Sequence, residues 1–418
     1  MSVTINTLWP YADGGFRDAI VEGLRRSLAA GHRPFVRWLA GTPFLYSLTG
    51  AGPEAVRDQV LAALAPAASD LPMVVATTTS GLTSWNHSKI VAVDGRQAIV
   101  GGHNQWAADY LSDTPVSDVS MLVRGPAAAA ATRYADVTWG YVCDRRAEGF
   151  LSALIWTRYS ATAAAGSACP RTTPVLDPGT PGTTRVLAVG KLGNGIAAPT
   201  GPADGRSSIP TNPLNDLCGP YGENRDFLNR NPGLVANREL IASADHEVFI
   251  AQQDLLGTCP RYDQELFRIL AKQLLAGVKV TIVVSGAFFT AYSQMLSPFE
   301  LSRTIFLNLL NQSGDLFRSR DAMCADLRLA TVRVGPDATW PGGVRFAQHA
   351  KFIEVDDQVF KVGSNNLYPA SLQEYDFVVD DAAAAAQVRQ AYLDPLWRWS
   401  SADAIIDAGQ GRCDIFGL

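Results

Sequence analysis

One sequence pattern occurs twice in the chain, and this duplication constrains the fold more than any other feature. The first copy, at residues 85–104, is WNHSKIVAVDGRQAIVGGHN, and the second, at residues 348–366, is QHAKFIEVDDQVFKVGSNN. In both copies a histidine is followed by a lysine two residues on, an aspartate seven residues on and an asparagine seventeen residues on. Because every offset is kept, we interpret the chain as two related halves that each contribute one motif to a shared site.

The matched positions provide the candidate site residues. They are His87, Lys89, Asp94 and Asn104 in the first copy and His349, Lys351, Asp356 and Asn366 in the second. The chain has only six lysines against twenty-nine arginines, yet each motif contains one lysine. This usage indicates that a compact ammonium group is needed at these two points. A structural histidine beside a surface lysine is the alternative for either motif alone, and the matched pair favours a functional role.

The residues around the first motif predict a strand pair. KIVAVD and QAIVGG alternate in the manner of β-strands around a turn at residues 94–96. Side chains alternate along a strand, so His87 and Lys89 share one face and can point into a pocket. Asp94 has the opposite parity. We therefore expect Asp94, and Asp356 at the same position of the second copy, to be structural residues of the motif that hold the turn.

Strand and helix patterns alternate through both halves and predict an α/β fold. The expected architecture is two similar α/β/α layered domains with mixed β-sheets, related by a pseudo-twofold axis, with the active site at their interface. The predicted domains are residues 1–165 and 232–418, each with one motif. Residues 166–231 are rich in Gly and Pro and predict a long crossover over the surface. The second half has extra residues at 286–326, which we expect to be an insertion of helices and loops.

Composition excludes several classes of protein. With 47% apolar and 18% charged residues the chain is typical of a well-packed globular protein. A net charge of −5 and scattered arginines argue against a nucleic-acid partner. No apolar run approaches the ~20 residues that span a bilayer. The N-terminal stretch also lacks the basic and then apolar pattern of a signal peptide.

The six cysteines leave two alternatives open. None forms a C-x-x-C motif or lies near a histidine at metal-ligand spacing, so we expect no metal site of this kind. An even count in loop-rich surroundings is compatible with disulfides in an oxidising compartment. Six free thiols are the other possibility.

The duplicated H-x-K-x4-D motif, followed by G-G/S-x-N, resembles the signature of the phospholipase D superfamily. Four stretches extend the resemblance to the secreted phospholipases D of actinomycete bacteria over nearly the whole chain: WNHSKIVAVDG, PVSDVSMLVRGPAA, AQQDLLGTCP and VGSNNLYPASLQEYDFVV. Those enzymes carry a further N-terminal segment, which we expect to be absent here. The resemblance implies extracellular localisation and disulfides Cys143–Cys169 and Cys218–Cys259. A third pair, Cys324–Cys413, is possible without such support.

The resemblance also implies roles for the motif residues. His87 would attack phosphorus to form a phosphohistidine, and His349 would act as acid and base; the near symmetry of the motifs leaves this choice open from the residues alone. Lys89, Asn104, Lys351 and Asn366 would bind the phosphate oxygens, and no cofactor or metal is expected. Asp118 and Glu374 match acidic positions that orient the histidines in the family. Many members have aspartate at the second position, so an ordinary surface acid is the alternative there.

The expected function is a phosphodiesterase, a phospholipase D that cleaves the distal phosphodiester bond of phosphatidylcholine-like lipids and transfers the phosphatidyl group to alcohols. The expected partner is a phospholipid at a membrane or micelle interface, and the expected state is a monomer. Trp85, Trp106, Leu367 and Tyr368 lie near the motifs and are candidates for acyl contacts or for the core. The alternatives are a nuclease or other phosphodiesterase of the superfamily, a lipid-degrading antibacterial toxin, and a catalytically inactive relative used for binding. Intact motifs argue against the inactive relative.

Overall fold

The structure is a computed structural model. It describes residues 1–8, 11–42, 52–66, 70–81, 84–146, 156–176, 179–192, 196, 231–257, 262–286, 297–368, 370 and 372–417. These residues form two mixed β-sheets, one in each half of the chain, with helices packed against them.

The first sheet has eight strands, in the order β4-β3-β2-β1-β5-β6-β7, with β8 also paired to β3. Its strands are β1 (Ser2–Leu8), β2 (Phe35–Gly41), β3 (Met73–Gly81), β4 (Ser84–Trp85), β5 (Ile90–Val93), β6 (Gln97–Gly101), β7 (Ser120–Arg124) and β8 (Trp156–Ala161). Strands β1, β2 and β3 run parallel, whereas β1, β5, β6 and β7 pair antiparallel. The predicted strand pair β5–β6 is therefore present, although it begins one residue after Lys89.

The second sheet has nine strands, in the order β17-β16-β12-β11-β10-β13-β14-β15-β9. Its strands are β9 (Arg185–Lys191), β10 (Glu247–Gln252), β11 (Lys279–Val284), β12 (Leu327–Thr331), β13 (Lys351–Val355), β14 (Val359–Gly363), β15 (Glu374–Asp380), β16 (Ala404–Asp407) and β17 (Arg412–Cys413). Strand β9 comes from the predicted crossover and pairs antiparallel with the whole length of β15. The crossover thus supplies an edge strand to the second half.

The two sheets share one topology. The central order β3-β2-β1-β5-β6-β7 of the first sheet is repeated as β12-β11-β10-β13-β14-β15 in the second, with the same parallel and antiparallel pairings. The motif aspartates occupy equivalent turns with positive φ, 56° at Asp94 and 52° at Asp356. The predicted α/β fold of two similar halves with mixed sheets is confirmed.

Ten α-helices lie among the described residues. They are α1 (Gly14–Ala29), α2 (Pro53–Leu64), α3 (Ala107–Tyr110), α4 (Ala128–Arg145), α5 (Pro232–Ala242), α6 (Gln264–Leu275), α7 (Pro298–Ser313), α8 (Leu316–Asp326), α9 (Ala382–Val388) and α10 (Asp394–Ser400). A π-helical turn, Arg389–Leu393, joins the last two. Helix α6 shows why such segments are helical: Asp263 accepts hydrogen bonds from two backbone N–H groups of its first turn, and Leu266, Leu270 and Leu274 recur on one buried face. Helices α7 and α8 lie in the predicted insertion.

Apolar contacts hold the layers and the two halves together. Val3, Val36 and Trp38 pack with the inner faces of α1 and α2 on one side of the first sheet. On its other side, Ile90 and Val100 cluster with α4 and with Tyr375 and Phe377 of β15. Full burial of side chains of this size contributes about 1.5–3 kcal/mol each. The strands that follow the motifs are therefore fixed against the opposite half.

Two disulfides connect described residues. Cys143–Cys169 ties α4 to the start of the crossover, as the resemblance implied. Cys324–Cys413 ties α8 to β17. The other pair that the resemblance implied, Cys218–Cys259, lies outside the described residues. Within the part of the chain that the structure describes, no helix has the length and apolar character needed to cross a membrane.

Candidate active site

The motif histidines lie on two backbone contacts between the halves. The N–H of His87 donates to the carbonyl of Gln373 at 2.8 Å, and the N–H of His349 donates to the carbonyl of Ser117, also at 2.8 Å. Each contact belongs to an isolated parallel bridge, and the two bridges are equivalent under the pseudo-twofold relation between the halves. The residue that follows each accepting carbonyl is an acid, Glu374 or Asp118. Each half therefore brings an acid to the other half's histidine.

The two imidazoles are buried and lie close together in an edge-to-face arrangement. His87 is 5% exposed and His349 is 4% exposed. Their ring centroids lie 6.3 Å apart and their planes are 77° from parallel. At this separation both rings are within reach of a single small group bound between them.

A carboxylate orients each imidazole. Nδ1 of His87 lies 3.1 Å from Oε1 of Glu374, and Nδ1 of His349 lies 2.9 Å from Oδ2 of Asp118. An ionised carboxylate can only accept, so each Nδ1 carries the proton that it donates. In the neutral rings the lone pair is then on Nε2.

The strand register makes Asp118 and Glu374 equivalent. Gly101 pairs with Ser120 in the first sheet, and Gly363 pairs with Asp376 in the second. Each acid lies two residues before the partner of its motif glycine. The glycine pair of the first motif is needed for close approach, because a Cβ at Gly102 would lie 2.0 Å from Oδ1 of Asp118.

Each motif lysine donates a hydrogen bond to the backbone of its own motif histidine. Lys89 Nζ donates to the carbonyl of His87 at 2.6 Å, and Lys351 Nζ donates to the carbonyl of His349 at 2.5 Å. Both lysines are buried. The structure thus brings together both histidines, both lysines and both orienting acids in one pocket at the interface of the halves.

Comparison with known proteins identifies the family of the chain. No profile of a described protein family matches the chain. A phospholipase D from Streptomyces antibioticus is 40% identical over 425 residues, which cover 98% of this chain and 76% of that protein. The chain belongs to the phospholipase D family. This relationship shows that the chain is a phosphodiesterase.

One solved structure shows the same fold at low identity. The phosphatidylserine synthase of Haemophilus influenzae matches with a TM-score of 0.55 at 12% identity, over 97% of this chain and 82% of that one. NucT of Helicobacter pylori matches 40% of this chain and 87% of its own, at 15% identity and a TM-score of 0.26. The first match supports the two-sheet fold of the phospholipase D family.

Burial is the largest influence on the pKa values of the motif histidines and lysines. Burial, together with the ammonium of Lys89, lowers the pKa of His87 to about 3. Burial and Lys351 likewise lower the pKa of His349 well below its ordinary value. Burial also lowers the pKa of Lys351 to about 7 and depresses that of Lys89. Burial therefore disfavours positive charge on these four side chains, and a bound anion would favour it.

The orienting acids stay ionised in spite of burial. Burial raises the pKa of Glu374, but Lys191 and His87 outweigh it and lower that pKa to about 2. For Asp118, burial is outweighed by the hydrogen bond and charge of His349, which hold its pKa below the usual range. Both acids can therefore act as acceptors near neutral pH.

The remaining motif residues occupy two kinds of position. Asn104 and Asn366 are buried beside the pocket, and Asn366 donates from its backbone N–H and from Nδ2 to Oε1 of Glu374, at 3.4 and 3.3 Å. Asp94 instead accepts from the N–H of Ser2 at 2.6 Å. Asp356 accepts from three successive N–H groups, of Asp245, His246 and Glu247, each at 2.8 Å. Each aspartate thus bonds to backbone N–H groups at the start of the first strand of its half.

Two residues at the site were missed by sequence reasoning. The hydroxyl of Tyr110 donates to Oδ2 of Asp118 at 2.9 Å and lies 3.2 Å from Nδ1 of His349. Lys191, at the end of β9, donates to Oε2 of Glu374 at 2.6 Å. Lysine scarcity was the signal that could have found Lys191. Tyr110 lies outside the repeat, and the sequence held no signal for it.

The aromatic and apolar neighbours of the motifs differ in burial. Leu367, a candidate for acyl contact or for the core, is buried in the core of the second half. Trp85, Trp106 and Tyr368 are half-buried.

One group of carboxylates among the described residues is close enough to hold a metal ion: Glu247, Glu354 and Asp357. Arg389 lies among them and forms ion pairs with all three. This guanidinium occupies the position that a cation would need. The group is therefore a protein ion-pair network that ties the π-helical turn to β10 and β13.

Proposed function

We propose that this chain is a phospholipase D that hydrolyses the distal phosphodiester bond of phosphatidylcholine-like glycerophospholipids to phosphatidic acid and the free headgroup alcohol. The observation that supports it best is the crossed arrangement of the pocket. Two neighbouring imidazoles, each with Nδ1 bonded to a carboxylate of the opposite half, leave two Nε2 atoms for one phosphoryl group.

In the first step His87 is the nucleophile. Its Nε2 attacks phosphorus, an N–P bond forms and the bond between phosphorus and the headgroup oxygen breaks. His349, protonated on Nε2, gives that proton to the departing oxygen, so the headgroup leaves as a neutral alcohol. Glu374 stabilises the positive charge that develops on the phosphorylated imidazole of His87.

In the second step His349 acts as a base. Its Nε2 takes a proton from water, the water oxygen attacks phosphorus and the N–P bond breaks. Phosphatidic acid leaves and both imidazoles return to their starting states. An alcohol in place of water gives transphosphatidylation by the same sequence of bonds.

The motif lysines supply the positive charge that this reaction needs. Extra negative charge develops on the non-bridging oxygens in the five-coordinate transition state, and preorganised ammonium groups stabilise it. Lys89 and Lys351 lie under the two histidines, where such oxygens would bind, with Asn104 and Asn366 as further donors. Burial and the charge of Lys351 keep His349 neutral. The bound anion offsets that charge, so substrate binding favours the protonated acid. We propose that the reaction requires no metal ion or cofactor.

Charge favours a lipid over the nuclease alternative. A nucleic-acid groove depends on a cluster of cationic side chains that neutralise many phosphates. This chain has a net charge of −5, and four of its six lysines are buried and so cannot line an exposed cationic groove. The half-buried Trp85, Trp106 and Tyr368 suit acyl or headgroup contacts at a membrane or micelle surface.

The setting that we propose is extracellular. Disulfides persist in oxidising compartments, and two disulfides join described residues. Because one chain carries both motifs, we propose a monomer. An antibacterial toxin would use the same chemistry on a competitor's membrane.

The test presents phosphatidylcholine vesicles and single- and double-stranded DNA to one preparation, with and without EDTA and an added alcohol. We expect choline release that EDTA does not abolish, a phosphatidyl-alcohol product, and intact DNA. His87→Ala should lose this release, whereas His32→Ala, at an exposed histidine outside the motifs, should retain it. DNA cleavage without choline release would overturn the lipid proposal. Loss of activity in EDTA that a divalent ion restores on a soluble substrate would overturn the metal-free mechanism.

A further inference from the structure

Four of the six lysines are buried, which is unusual for this residue. They are Lys89, Lys191, Lys351 and Lys361. Removing an ammonium group from water costs several kcal/mol unless other groups compensate. Two of these lysines belong to the motifs. The other two lie on neighbouring parts of the second sheet, each beside a buried acid.

Lys191 reaches the nucleophile side of the pocket through Glu374. Strand β9 pairs with β15 so that Lys191 lies directly opposite Glu374. Lys191 Nζ donates to Oε2 of Glu374 at 2.6 Å, while Oε1 of the same carboxylate accepts from Nδ1 of His87 at 3.1 Å. Tyr134 fixes this end of β9, because its hydroxyl donates to the carbonyl of Lys191 at 3.0 Å. The ammonium, the carboxylate and the imidazole form one continuous chain of hydrogen bonds.

The protonation state of Glu374 decides which nitrogen of His87 can react. As a carboxylate, Glu374 only accepts, so the proton of a neutral His87 stays on Nδ1 and Nε2 keeps its lone pair. As a protonated acid, Glu374 would donate to Nδ1. The ring proton would then be on Nε2, and the attacking lone pair would be lost. Because Glu374 is fully buried, desolvation favours the protonated form unless a cation opposes it.

The equivalent acid of the other half is held by different groups. Asp118 accepts from the N–H of Val119 at 2.8 Å and from the hydroxyl of Tyr110 at 2.9 Å. These donors are neutral, whereas Lys191 is a cation. The pseudo-symmetric site is therefore asymmetric beyond its motifs, and the asymmetry is supplied by the crossover strand.

We propose that Lys191 is a positioning residue for the phosphodiesterase reaction: it holds Glu374 as a carboxylate, so that His87 presents an unprotonated Nε2 to phosphorus. This inference rests on the proposed function, in which His87 is the nucleophile. Lys191 acts through Glu374 rather than on the substrate, so it should affect kcat more than KM.

The main test compares Lys191→Met with Lys361→Met. Lys361 is an equally buried lysine of the same sheet, but it donates to the carbonyl of Asn365 at 3.1 Å and lies 3.8 Å from Asp376. We expect Lys191→Met to lower kcat for phosphatidylcholine by about 10- to 100-fold, the range for residues that orient a catalytic group through another side chain. The kcat of Lys191→Met should rise with pH, because Glu374 then ionises even without the Lys191 ammonium. The pH profile of wild type should lack this rise. Lys361→Met should keep the wild-type pH profile.

Two further variants separate positioning from a structural role. Lys191→Arg keeps the charge and should restore most of kcat. In the double variant Lys191→Met/Glu374→Gln, kcat should be no lower than in Glu374→Gln alone. Once residue 374 is an amide, there is no carboxylate for Lys191 to hold. Additive losses in the double variant, or equal losses at Lys191 and Lys361, would overturn the proposal.

Nitrogen-15 NMR of labelled histidine tests the tautomer without any substrate. Wild type should show His87 protonated on Nδ1, and Lys191→Met should shift the proton towards Nε2. If Lys191→Met does not fold, the wild-type spectrum and Lys191→Gln, which keeps a donor but no charge, carry the test. A wild-type His87 protonated on Nε2 would overturn the inference. Absent choline release with the expected tautomers would overturn the proposed function alone.

Discussion

Glu374 orients His87 across a separation of 287 residues, through a hydrogen bond of 3.1 Å between Oε1 and Nδ1. The two residues belong to different halves, and Asp118 and His349 repeat the relation in reverse. The predictions below depend on this crossed pairing.

Replacing an orienting acid should disable the histidine of the other half. Glu374→Gln can donate to Nδ1 of His87 and so favours the unreactive tautomer, and we expect kcat to fall by about 10³- to 10⁴-fold, as for other amide replacements of an orienting acid. Steady-state choline release measures this, with circular dichroism as a check of folding. Asp380→Asn, near the exposed end of the same strand, is the control and should stay near wild type. A loss under 10-fold in Glu374→Gln would contradict the role of Glu374.

His87 should carry the covalent intermediate. Enzyme quenched in acid-free denaturant during turnover, then digested, should show a phosphatidyl adduct on the peptide that contains residue 87. His349→Ala should accumulate the adduct when the substrate has a good leaving group, because the base of the second step is missing. An adduct on His349 would reverse the two roles.

Oxyanion binding should be accompanied by proton uptake near neutral pH. The pKa of Lys351 is lowered to about 7 by burial, so this side chain is only partly protonated at pH 7 to 8. A bound anion raises that pKa, and protons must then be taken up from the buffer. Titration calorimetry with tungstate at pH 8, in buffers of different ionisation enthalpy, gives the number of protons. Lys351→Met should take up fewer protons, and proton release by wild type would contradict the expectation.

The site should weaken the fold in acid. The pKa of His87 is lowered from 6.5 to about 3, so between these values the unfolded chain binds more protons than the folded one. Its contribution to the free energy of unfolding is therefore complete above pH 6.5 and is lost as pH falls towards 3. Glu374, with a pKa lowered from 4.5 to about 2, acts in the same direction at lower pH. Urea titrations between pH 8 and 4 measure the free energy of unfolding. As pH falls, this free energy should decrease less steeply in His87→Gln than in wild type; an identical slope would contradict this.

The motif aspartates should matter for stability rather than for chemistry. Asp356 accepts three backbone hydrogen bonds, and Asp94 accepts one from Ser2. We expect Asp356→Ala to lower the free energy of unfolding by about 3 kcal/mol and Asp94→Ala by about 1 kcal/mol. Specific activity of the folded protein should stay within about twofold of wild type. Unchanged stability with lost activity would place the aspartates in the chemistry.

Local pattern and the repeat were enough to predict the fold class. Period-two alternation predicted the strand pair β5–β6 and the turn at Asp94, and the preserved offsets selected the candidate motif residues, whose roles stay a prediction. Spacing along the chain could not predict which histidine each acid serves, because the crossed pairing depends on how the halves meet. Asp118 follows His87 in sequence but contacts His349.

Residues outside the repeat show the other limit. The stretch VLAVG was visible as a short periodic segment, but its partner β15 lies far along the chain, so neither the register of β9 nor the burial of Lys191 could be read from it. The pair Cys324–Cys413 was open for the same reason. Such features are set by tertiary packing, which a one-dimensional pattern does not contain.

The reciprocal bridges Asn86–Gln373 and Ser117–Gln348 make the two halves an obligate complementing pair. Neither half holds a complete histidine and acid couple, so a chain cut in the crossover would be active only while the fragments remain associated. Activity would then report docking of the fragments directly. A substitution at this contact in one half can also be tolerated only if the facing surface of the other half remains compatible. The two copies are therefore expected to diverge together.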